Sequence, residues 1–170
     1  MQVRRILSLA ALGAAALAIQ SVGAFAANNT ASTTATVTAI VETPITINET
    51  SNMSFGDFTS DAAACTLTLS PAGTLSVTTG SCALIPSGGA ISAATFAVGG
   101  TANRAFTTTV TTPVTLTSGA NSLTLTPSNN APASLGAGGT ATINVGGALA
   151  IAANQPSGTY TGTVSVTVNY

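Results

Sequence analysis

Few residues of this sequence could carry acid–base or nucleophilic chemistry. The chain contains no histidine and no lysine, and charged residues make up 4% of its 170 residues. Asp57 and Asp61, on either side of Phe58, are the closest pair of carboxylates. We interpret them as a solvated loop, because a Ca²⁺ site would need more acidic ligands. The serines and threonines lack a base visible in the sequence, so we predict that the protein is not an enzyme.

Cys65 and Cys82 are the two cysteines of the chain, and they could form a disulfide or bind a metal. An even number of cysteines in an exported protein most often forms a disulfide. A metal site would need further ligands, and the sequence offers no histidine to supply them. We therefore predict a disulfide between Cys65 and Cys82, and we expect neither a metal nor a cofactor.

The first residues are typical of a secretory signal peptide. Arg4 and Arg5 precede an apolar segment over 6–19, and Ala24-Phe25-Ala26 matches the small-x-small cleavage pattern. The apolar segment is too short for a stable membrane span, and we expect export across the inner membrane without a lipid anchor. Arg104 is the one basic residue after the signal peptide. This excludes electrostatic capture of nucleic acid or anionic lipid as a main function.

The rest of the sequence has the composition of a single all-β domain. Helix formers such as Lys, Glu and Arg are nearly missing, and Thr, Val, Ser, Gly and Asn dominate. Alternating runs between Gly- and Pro-rich turns predict strands at 35–41, 44–48, 53–58, 65–70, 75–79, 91–98, 106–110, 122–126, 140–151 and 159–170. This spacing predicts an antiparallel sandwich or barrel. We interpret 129–139 as one long surface loop, and the phenylalanines as core residues.

Apolar and polar residues alternate at both ends of this region, as they do in β-strands. Near the C-terminus one strand face carries four apolar or aromatic side chains: Val164, Val166, Val168 and Tyr170. Before the domain, an alternating arm offers Thr33, Ala35, Val37, Ala39 and Val41. An edge strand is a simple means of joining one chain to another. We therefore expect these ends to serve in pairing.

Several motifs resemble the secreted bacterial domain-of-unknown-function family 4402. The first two are Met53-Ser-Phe-Gly56 and Ala94-Thr-Phe-Ala-Val-Gly-Gly100, the latter followed by Asn103-Arg-Ala-Phe106. The others are Gly138-Gly-Thr-Ala-Thr-Ile-Asn-Val-Gly-Gly-Ala-Leu149 and the closing Gln155-Pro-Ser-Gly-Thr-Tyr-Thr-Gly-Thr-Val-Ser-Val-Thr-Val-Asn-Tyr170. The closing motif is the most specific of them, and the resemblance covers nearly the whole chain after the signal peptide.

The closing motif is also similar to the ends of spore-coat-U-like and archaic chaperone–usher pilins. That resemblance implies an antiparallel immunoglobulin-like sandwich that is incomplete and is completed by the N-terminal strand of the next subunit. With the signal peptide assigned to 1–26 from its own residues, the resemblance implies a donor arm over 27–42 and a sandwich domain over 43–170. Thr33, Ala35, Val37, Ala39 and Val41 would belong to the donor strand. Val164, Val166, Val168 and Tyr170 would form the acceptor groove and the strand that a chaperone recognises.

The function implied by the resemblance is a pilin-like subunit of a filament on the cell surface. Its partners would be copies of itself, with a periplasmic chaperone and an outer-membrane usher during assembly. Three alternatives stay open. The arm could pair within its own domain or form a free tail, the protein could be a soluble or coat-associated binding module with a complete sandwich, or it could be a small outer-membrane barrel.

Overall fold

The computed structural model describes residues 30–170, so the predicted signal peptide lies outside the described residues. The chain divides at residue 39 into two units, and the second comprises Ile40–Tyr170. Within the first unit, residues 30–39 are exposed and form neither helix nor strand. The second unit is built of strands, turns and loops, which confirms the all-β prediction. Among the described residues, no helix has the length and hydropathy needed to cross a membrane.

The described part of the chain forms eleven strands, all paired antiparallel. They are β1 (Thr46–Ser51), β2 (Ser54–Phe55), β3 (Cys65–Leu69), β4 (Leu75–Thr79), β5 (Ile91–Ser92), β6 (Ala94–Gly99), β7 (Thr107–Val110), β8 (Val114–Ser118), β9 (Asn121–Asn129), β10 (Thr140–Ile151) and β11 (Val166–Asn169). The sequence predicts the bounds of β4 and β10 without error.

The main sheet is organised around the long strand β10. Residues 140–145 of β10 pair with β6, which in turn pairs with β1. Residues 147–151 pair with β3, and residues 145–150 pair with β9. Because the second half of β10 has neighbours on both edges, its side chains lie at the centre of the fold. The strands β4 and β8 extend the sheet through β3 and β9.

Two short ladders lie outside this sheet. β11 pairs with β7, and β2 pairs with β5. The C-terminal strand is therefore much shorter than the predicted 159–170. The predicted strand 91–98 is divided into β5 and β6 at Ala93, and the hairpin strand β8 was missed.

Alternation along the strands produces two apolar clusters. The first centres on Leu67, Leu69 and Leu149, which are at most 1% exposed. The second centres on Ile143, Val145 and Leu135. Leu135 corrects the prediction for 129–139, because this loop carries a side chain that is 1% exposed and anchors it in the core. The predicted core role of the phenylalanines is confirmed, since Phe55 and Phe106 are buried and Phe58 and Phe96 pack against the clusters.

The predicted disulfide between Cys65 and Cys82 is present, and it joins the start of β3 to the segment after β4. Both residues are buried, at 3% and 5% exposure. The bond fits an oxidising, extracytoplasmic environment.

Candidate functional site: an apolar groove between two lips

A groove opens between the first and the last segments of the domain. We call residues 43–60 the N-lip and residues 155–170 the C-lip. Between them lies a cavity of about 740 Å³, and a second one of about 170 Å³ adjoins it. Core side chains contribute to the walls of these cavities, including Phe55, Leu116, Leu123, Leu125 and Leu149. The groove therefore gives access to the first apolar cluster.

The two lips run antiparallel and are joined at both ends. At one end the hydroxyl of Tyr170 donates a hydrogen bond of 3.0 Å to the carbonyl of Thr43. At the other end the hydroxyl of Ser60 donates to the carbonyl of Gln155 at 2.8 Å. One residue further, the N–H of Asn154 donates to the carbonyl of Asp61 at 2.8 Å. These contacts define a Tyr170 end and an Asp61 end of the groove.

Between its ends, the N-lip is hydrogen-bonded to segments other than the C-lip. The N–H of Thr59 donates to the carbonyl of Ala83, and the N–H of Ile85 donates to the carbonyl of Asp57. β2 continues this pairing through β5. Residues 54–59 of the N-lip are thus held by residues 83–92, and β1 is held by β6.

The C-lip is also bonded on one side, to β7 and β8. Thr161 exchanges two backbone hydrogen bonds with Thr117, and β11 forms its ladder with β7. In the segment 159–165, Thr161 and Ser165 are the residues whose backbone groups bond to another backbone group within the described chain. Alternate peptide groups of an extended chain point in opposite directions. Between these bonded residues, the backbone groups of Gly162 and Val164 therefore point away from β8.

A glycine allows the C-lip to approach β8 closely. A Cβ at Gly162 would lie 2.7 Å from the carbonyl oxygen of Thr115 and 3.2 Å from Leu116 Cγ. Any larger residue would push the lip away from β8. This contact explains the glycine of the closing motif, Thr161-Gly-Thr163.

The structure places the predicted acceptor residues on one inward face of the C-lip. Val164 and Val166 are half-buried and Val168 is 8% exposed, while the residues between them are exposed. Val164 contacts both apolar clusters and borders the smaller cavity. Tyr170 lies just beyond β11 and is 43% exposed.

The predicted donor residues have a different environment. Val37 and Val41 are 92% and 97% exposed, and Thr33, Ala35 and Ala39 are exposed as well. The arm therefore presents its alternating side chains to solvent. The strand predicted for 35–41 is not formed within the chain.

Three of the charged residues lie at the ends of the groove, whereas Asp57 borders the larger cavity and Glu49 lies on β1. At the Tyr170 end, Arg104 forms an ion pair with Glu42 at 3.1 Å, and its guanidinium carbon lies 5.8 Å from the centre of the Tyr170 ring. At the Asp61 end, the Ser81 hydroxyl and the Ala62 N–H donate to Asp61, and both bonds lower the pKa of this carboxyl. Within residues 30–170, no three His, Cys, Asp or Glu side chains form a group that could hold a metal ion.

The sequence pattern did not identify the N-lip or Tyr160, which borders both cavities, as parts of the site. Tyr160 accepts a hydrogen bond from Gln155 Nε2 at 2.8 Å and donates to the carbonyl of Pro156 at 2.7 Å. Its place in the closing motif was a usable signal. The N-lip has no comparable signal, since its position depends on pairing with residues 83–92, which are distant in the sequence.

Comparison with known proteins identifies a family without giving an activity. No curated protein and no solved structure matches the chain. The family described as "Domain of unknown function (DUF4402)" matches residues 45–170, which contain all eleven strands, the C-lip and all but the first two residues of the N-lip. The chain therefore belongs to the DUF4402 family.

Proposed function

We propose that the protein is the structural subunit of an extracellular filament. The arm of one copy, residues 27–42, lies as a strand in the groove of the next copy. This proposal goes beyond the family assignment. One observation carries it: between their joined ends, the two lips that border the groove are hydrogen-bonded to other segments of the described chain and not to each other.

A peptide strand is the kind of ligand that suits this groove. Its backbone can pair with the free groups of the C-lip between Thr161 and Ser165. Its alternate side chains can enter the cavities above Leu116 and Leu123. Apolar burial of this kind contributes roughly 25 cal/mol per Å² of surface removed from water. Backbone pairing and burial together favour a strand over a small polar ligand.

The arm of another copy has the properties that such a strand needs. Ala35, Val37 and Ala39 alternate with Thr34, Thr36 and Thr38, and no charged residue occurs between 6 and 41. An extended segment of about 15 residues reaches about 50 Å, which is enough to cross a domain. The exposure of Val37 and Val41 leaves the apolar face of the arm available.

A contact in which each copy gives its arm to the next is heterologous and does not close on itself, so it builds a filament. The signal peptide and the disulfide suit assembly outside the cytoplasm. A periplasmic chaperone would cover the groove until the arm of the next subunit arrives, and an outer-membrane usher would pass the growing filament to the surface. The subunit has a structural role and carries out no reaction.

The proposal is tested on denaturing gels of the secreted protein, unheated beside boiled, without reductant. We expect a ladder of multimers that collapses to the monomer on boiling. Ala39→Asp puts a charge on the apolar face of the arm and should abolish the ladder. Thr38→Asp puts the same charge on the opposite face and should leave the ladder intact. A single monomer band in both lanes would contradict the proposal and favour a soluble module with a complete sandwich.

A further inference from the structure

The strand β4 forms one end of the main sheet, and it borders neither cavity of the groove. One side of β4 pairs with β3. Within residues 30–170, no hydrogen bond joins its other side to another segment. Residues 76–79 are exposed, and Val77 is an apolar residue with 36% exposure. β4 therefore presents an open edge to solvent.

This edge has little of the protection that edge strands usually carry. Natural proteins place charges, prolines or bulges on an open edge, because two such edges can pair with each other. β4 contains neither a charged residue nor a proline, and no charged residue occurs between 62 and 103. The strand at the opposite end of this sheet, β1, carries Glu49. A bulge at Thr78 interrupts β4 only after Val77.

The ladder with β3 determines which backbone groups of β4 face the open edge. The N–H of Ser70 donates to the carbonyl of Thr74 at 2.8 Å, so these residues form a hydrogen-bonded pair. Hydrogen-bonded and non-hydrogen-bonded pairs alternate along an antiparallel ladder. In the register of β3 and β4, Ser76 therefore bonds to β3, whereas Leu75 and Val77 belong to non-hydrogen-bonded pairs. The N–H and C=O groups of Leu75 and Val77 point to the open edge.

These four outward groups are complementary to the same four groups of a second copy. When two β4 strands pair antiparallel, Leu75 of each copy can lie opposite Val77 of the other, and each such pair exchanges two hydrogen bonds. Ser76 of each copy then lies at the twofold axis, opposite its equivalent. A register centred on Leu75 or Val77 instead would form only one such pair. The contact is isologous, since both copies use the same patch.

We infer that β4 is an interface between two copies of this chain, which pair antiparallel and edge to edge about Ser76. The inference goes beyond the proposed function, because β4 lies outside the groove and the contact needs no donated arm. The absence of charge around β4 lets two copies approach without repulsion. The contact is short and therefore weak for one pair of chains. Along filaments it would repeat at each subunit, and this multivalency would join filaments side by side.

The test introduces one cysteine into the secreted full-length chain and measures disulfide-linked dimers on boiled gels without reductant. The two native cysteines are bonded to each other and do not compete. Non-hydrogen-bonded neighbours have Cα atoms about 4.5 Å apart, which is within the range for a disulfide. Ser76→Cys should therefore give a dimer band that reductant removes. The matched control is Thr124→Cys, which is exposed on the inner strand β9 and should stay monomeric.

A second pair of variants tests the backbone groups of the edge. Val77→Pro removes an N–H that points to the open edge, and edge strands tolerate proline at such positions. In the Ser76→Cys background, Val77→Pro should remove most of the dimer. Val77→Ala keeps the N–H and should retain the dimer. Circular dichroism of both variants shows whether the domain stays folded, and equal dimer yields from the two folded variants would contradict backbone pairing.

Boiling separates this inference from the proposed filament, because it dissociates strand-donated multimers and leaves disulfides intact. Equal dimer yields from Ser76→Cys and Thr124→Cys would overturn the edge contact. So would a Ser76→Cys chain that stays monomeric, which is the result expected if a strand of another protein covers β4. A boiled Ser76→Cys dimer without an unheated ladder in the wild type would support the edge contact and overturn the filament.

Discussion

Tyr170 joins the two ends of the domain through a single hydroxyl group. This group accepts a hydrogen bond of 2.6 Å from the N–H of Thr101 and donates one to the carbonyl of Thr43. Gly100 makes room for it, since a Cβ at that position would contact the Tyr170 hydroxyl. Motifs that are far apart in the sequence thus meet at one end of the groove.

Tyr170→Phe should lower the free energy of unfolding by about 1 kcal/mol, because it removes both hydrogen bonds. Thermal unfolding followed by circular dichroism measures the loss. Gly100→Ala should lower the free energy of unfolding more in the wild type than in the Tyr170→Phe background. The reason is that Tyr170→Phe lacks the hydroxyl that the new Cβ would contact. Equal effects of Gly100→Ala in the two backgrounds would show that this contact is not the cause.

Asp61 should make stability depend on pH through Ser81. The Ser81 hydroxyl donates to Asp61 at 2.7 Å and lowers the pKa of this carboxyl below its ordinary value of 3.8. The pKa of Asp61 is lower in the folded chain than in the unfolded chain. The bond therefore stabilises the fold fully at pH values above the pKa of the unfolded chain, and this stabilisation is lost as the pH falls through the pKa of the folded chain.

Ser81→Ala should therefore lower the melting temperature at neutral pH and have less effect in acid. The control is Ser76→Ala, since the Ser76 hydroxyl donates at 3.4 Å to the carbonyl of Thr68, which does not titrate. A Ser81→Ala effect that is constant with pH would contradict this assignment.

At the scale of elements, the strands with regular alternation and clear turns could be predicted. β3, β4 and β10 are predicted well because each alternates between buried and exposed positions or lies between glycine-rich turns. β8 was missed since Pro113 directly precedes it and suggests a turn. The C-terminal strand was predicted too long because its alternation continues through 159–165, where much of the backbone lacks a partner within the described chain.

Of the candidate site, the sequence predicts the part that depends on local alternation and not the part that depends on tertiary pairing. The inward face of Val164, Val166 and Val168 follows from local alternation. The N-lip depends instead on the pairing of 57–59 with 83–85, which the sequence pattern does not show. Local periodicity therefore identifies one border of the groove, and tertiary pairing creates the other.

The disulfide supports the N-lip indirectly, because Cys82 directly precedes residues 83–85, which are hydrogen-bonded to the N-lip. Replacing both cysteines, Cys65→Ala/Cys82→Ala, should lower the free energy of unfolding by about 3 kcal/mol, as expected for a closed loop of this length. Urea unfolding under oxidising conditions measures the change. The matched control is the wild type treated with reductant, which should approach the double variant. An unchanged unfolding midpoint would contradict a stabilising role.

At the scale of the whole molecule, an open groove and an exposed arm occur in the same chain. The groove has an apolar floor and free backbone groups, and the arm has alternating side chains that are exposed to solvent. Within a single copy, the arm does not pair with the lips of the groove. Between copies, the arm of one could pair with the lips of another. This complementarity is the physical basis for proposing a filament.

The most direct test is a cryo-electron microscopy map of filaments assembled from the full chain. We expect an extended segment within residues 30–41 of one subunit to lie between the N-lip and the C-lip of its neighbour. A map with an empty groove, or with the arm folded onto its own domain, would contradict donation between subunits. So would a preparation of the secreted chain that forms no filaments under conditions of export and oxidation.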